Sequence, residues 1–345
     1  MVSSQILRRS INFEQAGQSR NFRLRLQIDS LLVTRYSLLL MRSLLKIFLY
    51  LLLSVFIGAL LAPLFYKIIL LFPAAHFGFL EPLLSSVQRM PFHRYVSRTI
   101  QIVALILLWP TIASLKIKYL SDLSLYPNHH AVRDFLKGVI AALLPLWLVE
   151  ALLISFGWYH FENYCSWQIG LKILVTALTV AFLEEFLFRG VLLGLCRRFL
   201  TNGIAVVVVA CIFAGVHFLN LSHFQEPTIY WWGGFSLISH HDALCSNWPL
   251  AIGAFGTLFL LGLVLGWATV RTKSLWLAIG LHAGWIVAQQ FFHAVTQENF
   301  SHLLPWWGPF QIYGMVPVGI LVVVPLGMTA LLIKKTVPQR KSTEF

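Results

Sequence analysis

Residues 171–195 read LKILVTALTVAFLEEFLFRGVLLGL. Twenty-five residues of this apolarity are too long for a buried strand and long enough to cross a hydrocarbon core, which takes roughly 20 residues of helix. The run carries two adjacent carboxylates and an arginine, Glu184, Glu185 and Arg189, near its middle. Each charge placed at the centre of a bilayer costs about 2.5–3.5 kcal/mol, so a chain that keeps three together uses them for something.

The rest of the chain agrees with a membrane setting. Of 345 residues, 58% are hydrophobic and 11% charged, and the mean hydropathy is +0.76. A water-soluble domain of that composition would expose large apolar patches. Further apolar runs lie at about 47–72, 99–115, 135–157, 203–220, 250–270, 275–296 and 313–333. The expectation is therefore an all-α, polytopic transmembrane helical bundle of about eight spans, occupying residues 47–333. Basic residues 1–46 form an amino-terminal extension, and 334–345 a basic tail.

The net charge of +13 would suggest nucleic acid in a soluble protein, but here the Lys and Arg residues cluster at the ends of apolar runs. Arg8 to Lys46, the 116–134 loop, Arg197 and Arg198, Arg271 and Lys273, and the tail from Lys334 all fall on one side of the expected bundle. The positive-inside rule makes that side, and both termini, cytoplasmic. Loops 158–170, 221–249 and 297–312 contain no Lys or Arg, whereas Arg89, Arg94 and Arg98 break the alternation in the first outer loop. Lys67 and Lys172, near span ends, are expected to snorkel. The first 40 residues show no small-residue cleavage site of a secretory signal, and Met41 is an alternative start. The aromatic-rich loop 221–249 reads as an interfacial segment. Cys165, Cys196, Cys211 and Cys245 have no paired spacing and are expected to be small packing residues, with Cys165 and Cys245 the one pair that could bridge.

On a helix Glu185 and Arg189 are four residues apart on one face, acid before base, while Glu184 is rotated by about 100°. One carboxylate is thus held by the guanidinium and the other is left for chemistry. Two more ionisable groups lie in apolar runs: His217, after Phe213-Ala214-Gly215-Val216, with Asn220 one turn on, and His282 within Gly280-Leu281-His282-Ala283-Gly284. An imidazole there can take a proton near neutral pH or bind a metal. Small neighbours let helices approach closely. Counted at about 1.5 Å per residue from the cytoplasmic helix ends, Glu184, His217 and His282 lie at compatible depths, provided that a helix tilts or is irregular. Glu150 and His293, toward outer span ends, are expected to be a brace and a solvated residue.

Glu184-Glu185-x-x-x-Arg189, Phe213-x-x-x-His217, and His282 after Ser274-Leu275-Trp276 occur in that order, with Asp122-Leu123-Ser124-Leu125 before the third span. Together they resemble the CPBP family of intramembrane proteases, also called the Abi or CAAX-protease family, over roughly 120–296. The resemblance implies intramembrane peptide-bond hydrolysis. Glu184 with His217 would activate water, His282 would stabilise the oxyanion, and Glu185 and Arg189 would order the site. It implies membrane lipid and a peptide or membrane-anchored protein as partners, no nucleic acid, and a bacterial cytoplasmic membrane as the setting. Members place Asn four residues after the last His, where this chain has Ile286, so Asn220 or Gln289 becomes a candidate donor. That departure keeps a second expectation alive, a non-catalytic scaffold or bacteriocin self-immunity factor. No cofactor is expected from the family's metal-free chemistry, although Glu184, His217 and His282 also make a plausible two-His, one-carboxylate zinc set.

Overall fold

The computed structural model describes residues 38, 41–72, 81–123, 125–162, 164–218, 229–239 and 248–299. The expected eighth span, the tail, Asn220, Cys245 and residues 1–37 lie outside them. By backbone contacts the chain divides into two units, residues 1–53 and 54–345. Of the first, the described part is helical and belongs to the first helix below; the second holds all the other elements.

Helix α1 covers Met41–Leu71, followed by α2 (Glu81–Gln88), α3 (Phe92–Ser114), α4 (Ala131–Ser155) and strand β1 (Tyr159–Phe161). Helix α5 (Trp167–Glu185) passes without a break through a π-helical segment, Phe186–Leu192, into α6 (Leu193–Cys196). Then come α7 (Asn202–Phe218), α8 (Gly233–Ser239), α9 (Trp248–Thr272), α10 (Trp276–Val295) and β2 (Thr296–Glu298). Among the described residues four helices are long and apolar enough to cross a membrane: Met41–Leu71, Phe92–Ser114, Ala131–Ser155 and Ile252–Thr272. Helices dominate the described residues, which fit an integral membrane protein.

The sequence places a plain helix over 171–195, whereas the structure has a π turn within it. The second span begins earlier than expected, which puts Arg94 and Arg98 in the first turns of α3. These arginines are the residues that disturb the charge alternation.

Helices α4 and α10 make the most intimate pair. A Cβ on Gly138 would lie 2.5 Å from the Leu277 carbonyl oxygen, and one on Gly284 2.8 Å from that of Val139. One on Gly280 would collide with the Phe135 carbonyl. Without side chains at these positions the two backbones touch, which is how helices gain packing energy where lipid removes the hydrophobic incentive. Both ends of the pair are tied. At one end Asn128 Nδ2 donates to Asp134 Oδ2 at 2.9 Å and to Ser274 Oγ at 3.2 Å, and the Tyr126 amide donates to the Lys273 carbonyl. Lys273, with φ 53°, makes the left-handed turn between α9 and α10. At the other end β1 and β2 pair antiparallel, Tyr159 opposite Glu298.

A second close pair is α7 with α9, where Gly262 backs onto Ala210 and Gly266 onto Val206. Helix α5 fills the space against α10 through Ala181, Ile279 and Ala283, with Phe135 and Leu275 alongside. The Asp122-Leu123-Ser124-Leu125 stretch has a packing role: Leu123 and Leu125 are buried, and Leu123 lies against Gly194 of α6. Outward faces are apolar, with Ile106, Trp109, Leu144, Leu148 and Val175 exposed as lipid contact requires.

Candidate active site

The three inner elements, α5 with its π segment, α7 and α10, meet at the ionisable groups. Glu185 and Arg189 are both fully enclosed, with 0% side-chain exposure, and Arg189 Nη1 donates to Glu185 Oε1 at 2.9 Å. A bare pair of this kind would cost more in desolvation than it returns, so its other contacts matter. Arg189 Nη2 lies 3.5 Å from the Gly262 carbonyl of α9. Its guanidinium carbon stands 4.2 Å from the centroid of the Phe213 ring, a cation–π contact. Glu185 Oε1 also accepts from His282 Nδ1 at 2.8 Å. One carboxylate oxygen therefore anchors two helices.

Glu184 turns the other way. Its Oε2 is 3.4 Å from His217 Nε2 and 3.9 Å from His282 Nε2, and it has no hydrogen-bond partner. The partners of the two rings fix their tautomers. His217 Nδ1 is 2.8 Å from the Phe213 carbonyl, which can only accept, so Nδ1 carries the proton. His282 Nδ1 faces an oxygen already accepting from Arg189, so it too is the donor. In the neutral rings both Nε2 atoms are then lone-pair acceptors, directed at a carboxylate oxygen that is also an acceptor.

While both imidazoles are neutral, three acceptors converge with no donor between them. Two carboxylates and one guanidinium give this buried cluster a net charge of −1 while both imidazoles are neutral, and one shared proton makes it zero. The arrangement is built to receive a proton or to hold the hydrogens of a water molecule. A water bonded to two acceptors at about 2.8 Å each holds them roughly 4.4 Å apart, so the Glu184–His217 pair opens by about 1 Å to admit one. Side-chain exposure of 27% at His217 and 14% at Glu184 leaves an approach to the cluster, whereas His282 is at 6%.

Phe213 is the residue whose role the motif conceals. It is completely buried. Its carbonyl orients His217, and its ring contacts Arg189, His217 (centroids 4.3 Å apart), Phe188 (5.2 Å) and His282 (6.1 Å). The π segment is equally unannounced, since no residue in Phe186–Leu192 marks the change of helical register. Such segments favour functional sites because they re-aim side chains within an otherwise continuous helix.

Of the residues singled out in the sequence, Glu184, Glu185, Arg189, His217 and His282 are brought together. Asn220 lies outside the described residues. Ile286 is half-buried one turn beyond His282. Glu150 is buried within α4. Cys196 is buried, Cys211 exposed on the outward side, and Cys165 carries a free thiol. Among the described residues no group of three or more His, Cys, Asp or Glu has the arrangement of a metal site.

Residues 166–288 match the Rce1-like family, described as type II CAAX prenyl endopeptidase Rce1-like. The matched stretch runs from the cap of α5 into α10 and contains the whole cluster. No curated protein and no solved structure gives a significant match. The chain thus carries an Rce1-like domain, and its likeness is to CAAX-type proteases in general.

Proposed function

We propose, taking that likeness as the premise, that this chain is an intramembrane endopeptidase. In this reading it hydrolyses peptide bonds of membrane-associated substrates with a water activated by Glu184 and His217. The observation that carries the proposal is the convergence of Glu184 Oε2 and the two Nε2 atoms, an acceptor set with no donor of its own. A water placed there gives a proton to the Glu184/His217 pair as its oxygen attacks the scissile carbonyl carbon, and the carbonyl π pair moves onto oxygen. Collapse of the tetrahedral intermediate breaks the C–N bond, and the proton held by the pair passes to the leaving amine.

His282 has a conditional part. Because its Nδ1 donates to Glu185, its Nε2 can donate to the oxyanion only while the ring carries a second proton, which the adjoining carboxylates favour electrostatically. Glu185 and Arg189 keep both His282 and the Phe213–His217 turn in place. Eight spans with both termini cytoplasmic, in a bacterial cytoplasmic membrane, is the topology that suits the basic loops. The substrates are a small peptide or the terminus of a membrane-anchored protein, with lipid as the surrounding partner.

The test compares membrane peptides from cells producing the wild type and Glu184→Ala. A peptide cleaved only by the wild type, with cleavage also lost in His217→Ala at unchanged folded yield, is the expected result. Undiminished cleavage by either variant refutes the assignment. A second reading, a non-catalytic scaffold or self-immunity factor, is favoured by Ile286, whose side chain can donate nothing where the resembled family places Asn. It predicts that Glu184→Ala retains the full biological effect.

A further inference from the structure

Thr257 of α9 has a buried hydroxyl that the fold leaves unused. The residue is 2% exposed, and its Oγ1 has no hydrogen-bond partner. Helical threonines elsewhere in the chain behave differently. Thr111, Thr269 and Thr272 each donate to the carbonyl four residues back, at 2.7, 3.1 and 2.8 Å, as does Thr296 just past the end of α10, at 2.7 Å. That bond is available to any helical threonine and satisfies its donor inside a membrane. Burying a hydroxyl without it is unfavourable and calls for an explanation.

Its position supplies one. Ala254, Thr257, Leu261, Leu265 and Ala268 are among the buried residues of α9, spaced three and four apart, so Thr257 belongs to the face turned into the bundle. The Gly262–Ala210 and Gly266–Val206 contacts show that α9 and α7 are antiparallel. Continued at the same register, they put Thr257 level with Gly215, two residues before His217. The bond from Arg189 to the Gly262 carbonyl ties the π segment to α9. His217, two residues on from Gly215, has its Nε2 3.4 Å from Glu184 Oε2. Thr257, Glu184 and His217 therefore occupy one layer of the bundle.

That layer is rich in acceptors and poor in donors. Glu184 Oε2 and two imidazole nitrogens can take a proton from water, but the negative charge formed on the carbonyl oxygen needs donors fixed in advance. We propose that Thr257 Oγ1–H donates a hydrogen bond to the scissile carbonyl oxygen as that oxygen becomes an oxyanion. The threonine gives up no proton. Water oxygen bonds to the carbonyl carbon, the water proton goes to the Glu184/His217 pair, and the hydroxyl only stabilises the charge until the C–N bond breaks. This inference rests on the endopeptidase reading above.

The experiment uses the full-length protein in lipid vesicles, with the peptide identified by the wild-type and Glu184→Ala comparison as substrate. Thr257→Val preserves shape and removes the donor, while Thr257→Ser keeps the donor. We expect Thr257→Val to lower kcat by 10-fold or more with KM within about twofold, Thr257→Ser to retain most of kcat, and the melting temperature of Thr257→Val to stay level or rise. Wild-type kcat in Thr257→Val overturns the inference. So does a loss shared by the serine variant or accompanied by a lower melting temperature, since that marks a packing role. If Glu184→Ala is inactive while Thr257→Val matches the wild type, the endopeptidase reading stands and this inference alone falls. Cleavage by Glu184→Ala equal to that of the wild type sinks both.

Discussion

Two adjacent glutamates are predicted to respond oppositely when changed, and Arg189 provides the measure. Replacing Arg189 with Met removes a guanidinium of 0% exposure that bonds Glu185 at 2.9 Å and faces Phe213 at 4.2 Å. It leaves the Glu185 carboxylate with His282 Nδ1 as its donor. Stranding one member of a buried pair costs about 3–5 kcal/mol, and the cation–π contact falls within that sum because the same group makes both. Glu185→Gln in the Arg189→Met background removes the stranded charge and should recover about half of the loss. The double-mutant cycle then gives a coupling of about 2 kcal/mol or more. Glu184→Ala removes a carboxylate oxygen that has no hydrogen bond, so its stability should stay within about 1 kcal/mol of the wild type, or rise. Reversible unfolding in mixed micelles measures all five proteins: the wild type, Arg189→Met, Glu185→Gln, the double variant and Glu184→Ala. A cost below about 1 kcal/mol for Arg189→Met, or one for Glu184→Ala as large as for Arg189→Met, refutes the division of the two carboxylates into one anchor and one free group.

Three further outcomes follow from the packing. Phe213→Leu loses the ring beneath Arg189 and should cost about 1–2 kcal/mol while lowering cleavage more than stability explains; equal effects on both would show that Phe213 merely fills space. Gly280→Ala drives a methyl group into the Phe135 carbonyl and should destabilise by about 1–3 kcal/mol in the same micelle assay, whereas Gly256→Ala meets nothing within 4 Å and should be neutral or stabilising. Chelator treatment should leave cleavage unchanged and the purified protein without stoichiometric zinc; loss of zinc together with activity would show that the acceptor cluster is a metal site after all.

The sequence by itself determined the solvent and the cast. Apolar runs of 20 residues admit a bilayer and little else, and three charges in the middle of one run are too costly to be incidental. The four-residue step from Glu185 to Arg189 specified their pairing, because one helix contains both. Tertiary structure decided what lies between helices. That Glu185 also receives His282, and that Glu184 is directed at two imidazole nitrogens, depends on where α7 and α10 sit against α5, and both are positioned by glycine contacts 52 to 145 residues apart in the chain. The π turn could not be read, since its residues suit an α-helix equally well. The buried hydroxyl of Thr257 could not be read either: a threonine's usual partner is its own helix, and only the finished fold shows that this one has none.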